Sequence, residues 1–100
     1  MTVYVIAQLT FKDRPAYDRY QAAFLPVFRQ FQGRLLAADE SPRYLEGGGP
    51  TQKVVVMSFP DEAEARRFLG SPEYEAISVD RRRGADAVVL LVNGLPQRAP

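Results

Sequence analysis

Three helix starts are written into this chain, and the first two follow directly on runs of β-branched and aromatic residues. Asp13 stands ahead of Arg14-Pro15, an N-cap with proline tolerated in the first turn. Asp61 is a second cap, with Glu64 at the position where a capping box places its carboxylate. Ser71-Pro72-Glu73 joins a serine cap, a first-position proline and a first-turn acid. These marks divide the chain into a short series of elements and leave few topologies open.

Val3 to Phe11 reads as the first strand. After Asp13, the residues Tyr17, Tyr20, Phe24, Val27, Phe28 and Phe31 recur at spacings of three and four, one apolar stripe of a helix. Pro26 falls inside that pattern and is expected to kink the helix or restart its last turns, and Gly33 is the expected stop. Arg34 to Asp39 is a second strand, interrupted near Ser41-Pro42 and resumed at Arg43 to Glu46, with Gly47-Gly48-Gly49-Pro50 as a loop. Lys53 to Phe59 is a third strand. The helix after Asp61 buries Ala65, Phe68 and Leu69 and ends at Gly70; the next runs from Ser71 to about Arg82. Ala87 to Val92 is the fourth strand. The expected organisation is a single domain over residues 1–95, with a frayed tail over 96–100. The order βαββαβ, built as two right-handed βαβ halves, predicts an α+β ferredoxin-like fold. It is a four-stranded antiparallel sheet with its helices on one face.

A sheet with one covered face should alternate apolar and polar residues. These strands do not. In the first, Val3, Val5, Ala7, Leu9 and Phe11 share one face while Tyr4 and Ile6 lie on the other. In the third, Val55, Met57 and Phe59 oppose Val54 and Val56; in the fourth, Val89 and Leu91 oppose Val88, Leu90 and Val92. Helices cover one face only, so a second copy laid on the other is the simplest cover, and a homodimer through the sheet face is expected. The bland alternative is that β-branched residues serve strand propensity on a tolerated surface. Gln8, the one amide in the middle of the first strand, is assigned to that interface rather than to a site.

Composition narrows the chemistry. Of 100 residues, 13 are basic and 12 acidic, a net charge of +1 that argues against a nucleic-acid partner. No cysteine and no histidine is present, so thiolate chemistry, Cys-based metal sites and the commonest general base are excluded. No metal and no cofactor is expected. The first residues lack a positive n-region and a cleavage site, and no apolar run approaches the ~18 residues of a membrane span. The expected setting is the cytoplasm, with no membrane partner.

In their order and spacing several short features resemble a known family. These are Asp13 followed by Tyr17 and Tyr20, Gly33-Arg34, Leu45-Glu46-Gly47, Val54-Val55-Val56 to Phe59-Pro60, Ser71-Pro72-Glu73-Tyr74, and Arg81. The family is domain of unknown function 1330, within the dimeric α–β barrel superfamily. The chain departs from it at Phe68, where tryptophan is frequent, and at Asp39-Glu40, where glycines are usual after the second strand. The resemblance implies a face-to-face dimer with a cleft between sheet and helices, and no established reaction. Superfamily relatives include cofactor-independent monooxygenases and isomerases, a likeness of fold rather than chemistry.

Five residues are candidates for a ligand in that cleft: Tyr17, Tyr20, Glu46, Tyr74 and Arg81. The tyrosines lie on the apolar stripe or just after a tight cap, and either pack in the core or turn their hydroxyls to a ligand. Arg81, in Arg81-Arg82-Arg83, either ends a solvated helix or points inward to bind a carboxylate or phosphate. Glu46 precedes the glycine loop and matches the family pattern; Asp39 and Glu40 read as solvated acids. The glycine run lacks the helix and Lys-Ser/Thr of a phosphate cradle. Three functions stand side by side. The first is a cleft binding a small anionic or aromatic molecule, with or without catalysis. The second is a non-enzymatic dimerisation or regulatory module. The third is a cofactor-independent monooxygenase or isomerase, which without histidine needs a Glu or Tyr of strongly shifted pKa.

Overall fold

The computed structural model describes residues 1–96, so the tail expected over 96–100 lies, but for Pro96, outside the described residues. The elements are β1 (Val3–Phe11), α1 (Arg14–Phe28), β2 (Arg34–Asp39), β3 (Lys53–Phe59), α2 (Glu62–Leu69), α3 (Pro72–Gly84) and β4 (Ala85–Asn93). The strands form one antiparallel sheet in the order β2-β3-β1-β4. The path from β1 to β2 skips over β3, and the path from β3 to β4 skips over β1. The fold is ferredoxin-like, as the order of strands and capped helices predicts.

All three caps form. Asp13 accepts from the Ala16 N–H at 3.4 Å, Asp61 from Glu64 at 2.8 Å and Ser71 from Tyr74 at 3.1 Å. The capping box does not close. The Glu64 carboxylate instead accepts from the Gln32 N–H at 2.8 Å and from Arg67, which joins α2 to the approach to β2. The helix α1 stops at Phe28 rather than at Gly33. The helix runs through Pro26, whose missing N–H leaves its ladder one bond short, and the chain leaves through Arg29, Gln30 and Phe31, bonded back to Leu25, Val27 and Phe28. Gly33 serves close packing: a Cβ there would meet the Phe28 ring at 2.6 Å and the Phe59 ring at 2.8 Å.

The expected return to strand at Arg43–Glu46 is absent, and residues 40–52 form a loop. The Asp39 carboxylate takes the Ser41 N–H at 2.7 Å, an Asx turn that ends β2. The loop folds on itself: the Tyr44 hydroxyl accepts from Thr51 at 3.0 Å, and Gly47 takes φ +72. The helix α3 runs on to Gly84, and β4 begins two residues earlier than expected.

The face that meets the helices carries Val3, Val5, Leu9, Met57 and Phe59, all buried. Behind α2, Phe68 is fully buried and lies within 6.0 Å, ring to ring, of Phe24, Phe28, Phe31, Phe59 and Tyr74. The opposite face carries Tyr4, Ile6, Val54, Val56, Val88, Leu90 and Val92. Among the described residues no helix is long and apolar enough to cross a membrane.

Candidate functional site

Large rings on the helices face small residues on the sheet, and the mismatch leaves space between the layers. A cavity of about 490 Å³ lies there, floored by Ala7, Val55 and Met57 and roofed by Tyr20, Phe24 and Tyr74. Leu25 and Leu35, both partly exposed, stand where it opens. A bulge between Leu35 and Ala37 lets Leu35 and Ala38 both face the cavity from β2.

Four of the five sequence candidates line this space: Tyr17, Tyr20, Tyr74 and Arg81. The Tyr20 and Tyr74 hydroxyls lie 3.1 Å apart and share one hydrogen bond, reaching across from α1 to α3. Burial pushes the Tyr20 phenol far above its usual range, and the neighbouring Tyr74 adds to the effect, so Tyr20 stays protonated. Arg81 acts in the opposite sense on the same phenol, which places its charge near the pair. Its Nε is buried and has no hydrogen-bond partner among the described residues. The fifth candidate, Glu46, is exposed in the loop of residues 40–52 and does not line the cavity.

Lys53, which the sequence reading passed over, is buried on the same wall. Its Nζ donates to Gln21 Oε1 at 2.9 Å, sits 4.8 Å from the centre of the Tyr17 ring and lies 3.6 Å from Glu40. Glu40 is also gripped by both terminal nitrogens of Arg14, at 2.9 and 2.8 Å. That fork, with help from Lys53, holds the Glu40 carboxyl below the usual carboxylate range. A signal for Lys53 was present, since it shares strand parity with Val55, Met57 and Phe59. Ser78 and Arg82 also line the cavity, and Arg82 donates to the Ser78 hydroxyl at 2.9 Å. Among the described residues no group of three or more Asp and Glu side chains comes together as a metal site would require.

The fold is shared with several solved structures. A protein of unknown function from Rhodopseudomonas palustris superposes with a TM-score of 0.80 at 16% identity, over 96% of this chain and 84% of that one. A dimeric ferredoxin-like protein of unknown function from Thermobifida fusca gives 0.65 at 17%, over 91% and 89%. SnoaB, a cofactor-independent oxygenase from Streptomyces nogalater, gives 0.67 at 15%, over 96% and 95%. Comparison with curated proteins finds no match. The architecture is thus that of the ferredoxin-like proteins, including dimeric ones. The chain belongs to the family Domain of unknown function (DUF1330), whose pattern matches residues 2–95.

Proposed function

We propose that residues 1–95 act as one unit, that two copies pair through the outer sheet face, and that each binds a small molecule in the cavity between sheet and helices. One observation carries the binding reading. An apolar space of about 490 Å³, the size of a small-ligand site, is lined by the hydroxyl-paired Tyr20 and Tyr74 and by Arg81, which has no ion-pair partner among the described residues. A buried tyrosine O–H without an acceptor costs about 1–3 kcal/mol, and a ligand acceptor recovers that cost. Support for pairing comes from the apolar outer face and from fold relatives described as dimeric.

A second reading, cofactor-independent oxygenase or isomerase chemistry, draws on the S. nogalater enzyme. Likeness of fold at 15% identity carries no chemistry to this chain. Tyr20, held protonated by burial, is suited to donate a hydrogen bond rather than to act as a base. The binding reading is therefore the one the site favours.

The test is a thermal-shift screen of the whole chain against small aromatic and aliphatic acids, followed by soaking of crystals. A ligand at ~10 times its Kd stabilises by about 1.4 kcal/mol, which raises Tm by several degrees in a domain of this size. Bound density between Tyr20 and Met57 is the expected result. A cavity filled by side chains in the crystal, or unmoved melting across the whole set, overturns the reading.

A further inference from the structure

The polar groups around the cavity are unevenly satisfied, and the imbalance has a direction. Ser78 is spent: it donates to the Glu75 carbonyl at 2.8 Å and accepts from Arg82 at 2.9 Å. Lys53 is spent on Gln21, Glu40 and the face of Tyr17. The two tyrosine hydroxyls carry one proton each and share a single hydrogen bond, so one O–H remains without an acceptor among the described residues. The Arg81 guanidinium likewise has no hydrogen-bond acceptor among the described residues. Both unspent groups are donors. Arg81 also has no carboxylate within ion-pair reach among the described residues, whereas Lys53 has Glu40.

Resting on the reading that this cavity binds a small molecule, we infer that its ligand is a monocarboxylic acid with a flat hydrophobic body. One carboxylate oxygen accepts from the Arg81 guanidinium and the other from the free hydroxyl of the Tyr20–Tyr74 pair. The body lies over Ala7 and Val55, beneath the Phe24 ring. Two donors match the two oxygens of a carboxylate. A phosphate dianion would call for a second cation turned to the cavity, whereas Lys53 is paired with Glu40 and Arg82 is turned to the Ser78 hydroxyl. Glu75, which also lines the cavity, further disfavours a second negative charge.

The decisive comparison is calorimetric titration of the whole chain with 2-naphthoate, with its neutral isostere 2-naphthamide, and with phenyl phosphate. Naphthoate is expected to bind ~10-fold or more tightly than naphthamide, the usual margin of a charge-assisted over a neutral hydrogen bond. In Arg81→Met the ratio should fall towards one while naphthamide binding persists. Equal binding of acid and amide by the parent chain overturns the carboxylate assignment and leaves the cavity reading standing. Tighter binding of phenyl phosphate than of naphthoate does the same. If none of the three binds and soaked crystals show the cavity closed by side chains, both readings fall. The acid–amide comparison needs no variant, so a failure of Arg81→Met to fold does not blunt it.

Discussion

Lys53 sits on the inward parity of β3, where the alternation around it places Val55, Met57 and Phe59, and it is only 5% exposed. A buried ammonium is tolerated when it is paired and hydrogen-bonded. Gln21 supplies the hydrogen bond and Glu40 the charge, while Arg14 fixes Glu40 through a two-pronged contact. The folded Glu40 carboxyl titrates below its ordinary 4.5, mainly because Arg14 donates to it. Its contribution to stability is therefore complete above that value and is lost as pH falls through the lower folded value. Glu40→Gln should lower Tm at pH 7 and flatten the loss of Tm on acidification below about pH 4.5. Some acid sensitivity should persist, because Glu64 is held low by Arg67 in the same sense. Thermal melts across pH provide the check, and parallel curves for variant and parent would show that Glu40 has no such role. At this scale the sequence was partly legible. The inward tyrosines and Arg81 followed from helical spacing and from family likeness. Lys53 was legible from parity alone. The placement of Glu46 was not, since it depends on how a loop folds rather than on any periodicity.

Among the elements, α3 carries Tyr74, Ser78 and Arg81, and its position is set at its last residue. The Gly84 carbonyl accepts from both Lys12 N–H at 2.8 Å and Asp13 N–H at 3.1 Å, tying the end of α3 to the turn that starts α1. A Cβ at Gly84 would lie 2.8 Å from Tyr17 Cα and would press on the Tyr17 backbone nitrogen as well. Backbone cannot swing aside as a side chain does, so Gly84→Ala must push the two helices apart. The expected loss is about 1–3 kcal/mol, the usual cost of overpacking, and about 4–8 °C in Tm for each kcal/mol. Denaturant unfolding measures it; a loss under about 0.5 kcal/mol would mean the contact relaxes freely. Helix starts were readable because each cap is a local hydrogen bond between residues three apart. Helix ends were less so. The helix α1 runs through Pro26 and ends at Phe28, and Gly33, read as a stop, answers to the Phe28 and Phe59 rings. Glu64 likewise fits a local box but is taken by Gln32, a partner that only the tertiary fold supplies.

At the scale of the whole molecule, the outer face of the sheet is ordered in rows. Ala37, Val56, Ile6 and Leu90 cross all four strands in one line. Ser58, Tyr4 and Val92 flank it on one side, and Val54, Gln8 and Val88 on the other. The charges come at the margins, from Arg34 and Asp39 on β2 and from Asp86 at the start of β4. That both faces were apolar could be read from the strands, but this same property hid which face the helices cover. The deciding residues are Gln8 and Thr10, polar positions that β1 turns away from the helices. Leu90 is 46% exposed in the single chain, so the monomer core owes it little. In a face-to-face pair it is covered, and each buried leucine is worth about 1.5–3 kcal/mol. Leu90→Glu should therefore leave the folded chain nearly as stable as before in its own core while placing two carboxylates in the interface. Light scattering at micromolar concentration should give about twice 11.2 kDa for the parent and a value near 11.2 kDa for the variant. A parent that scatters as a single chain would sink the pairing and require its exposed valines and leucines to be explained by strand propensity alone. A variant that stays dimeric would instead move the interface off this face, to the free edge of β2, a strand exposed along its whole length.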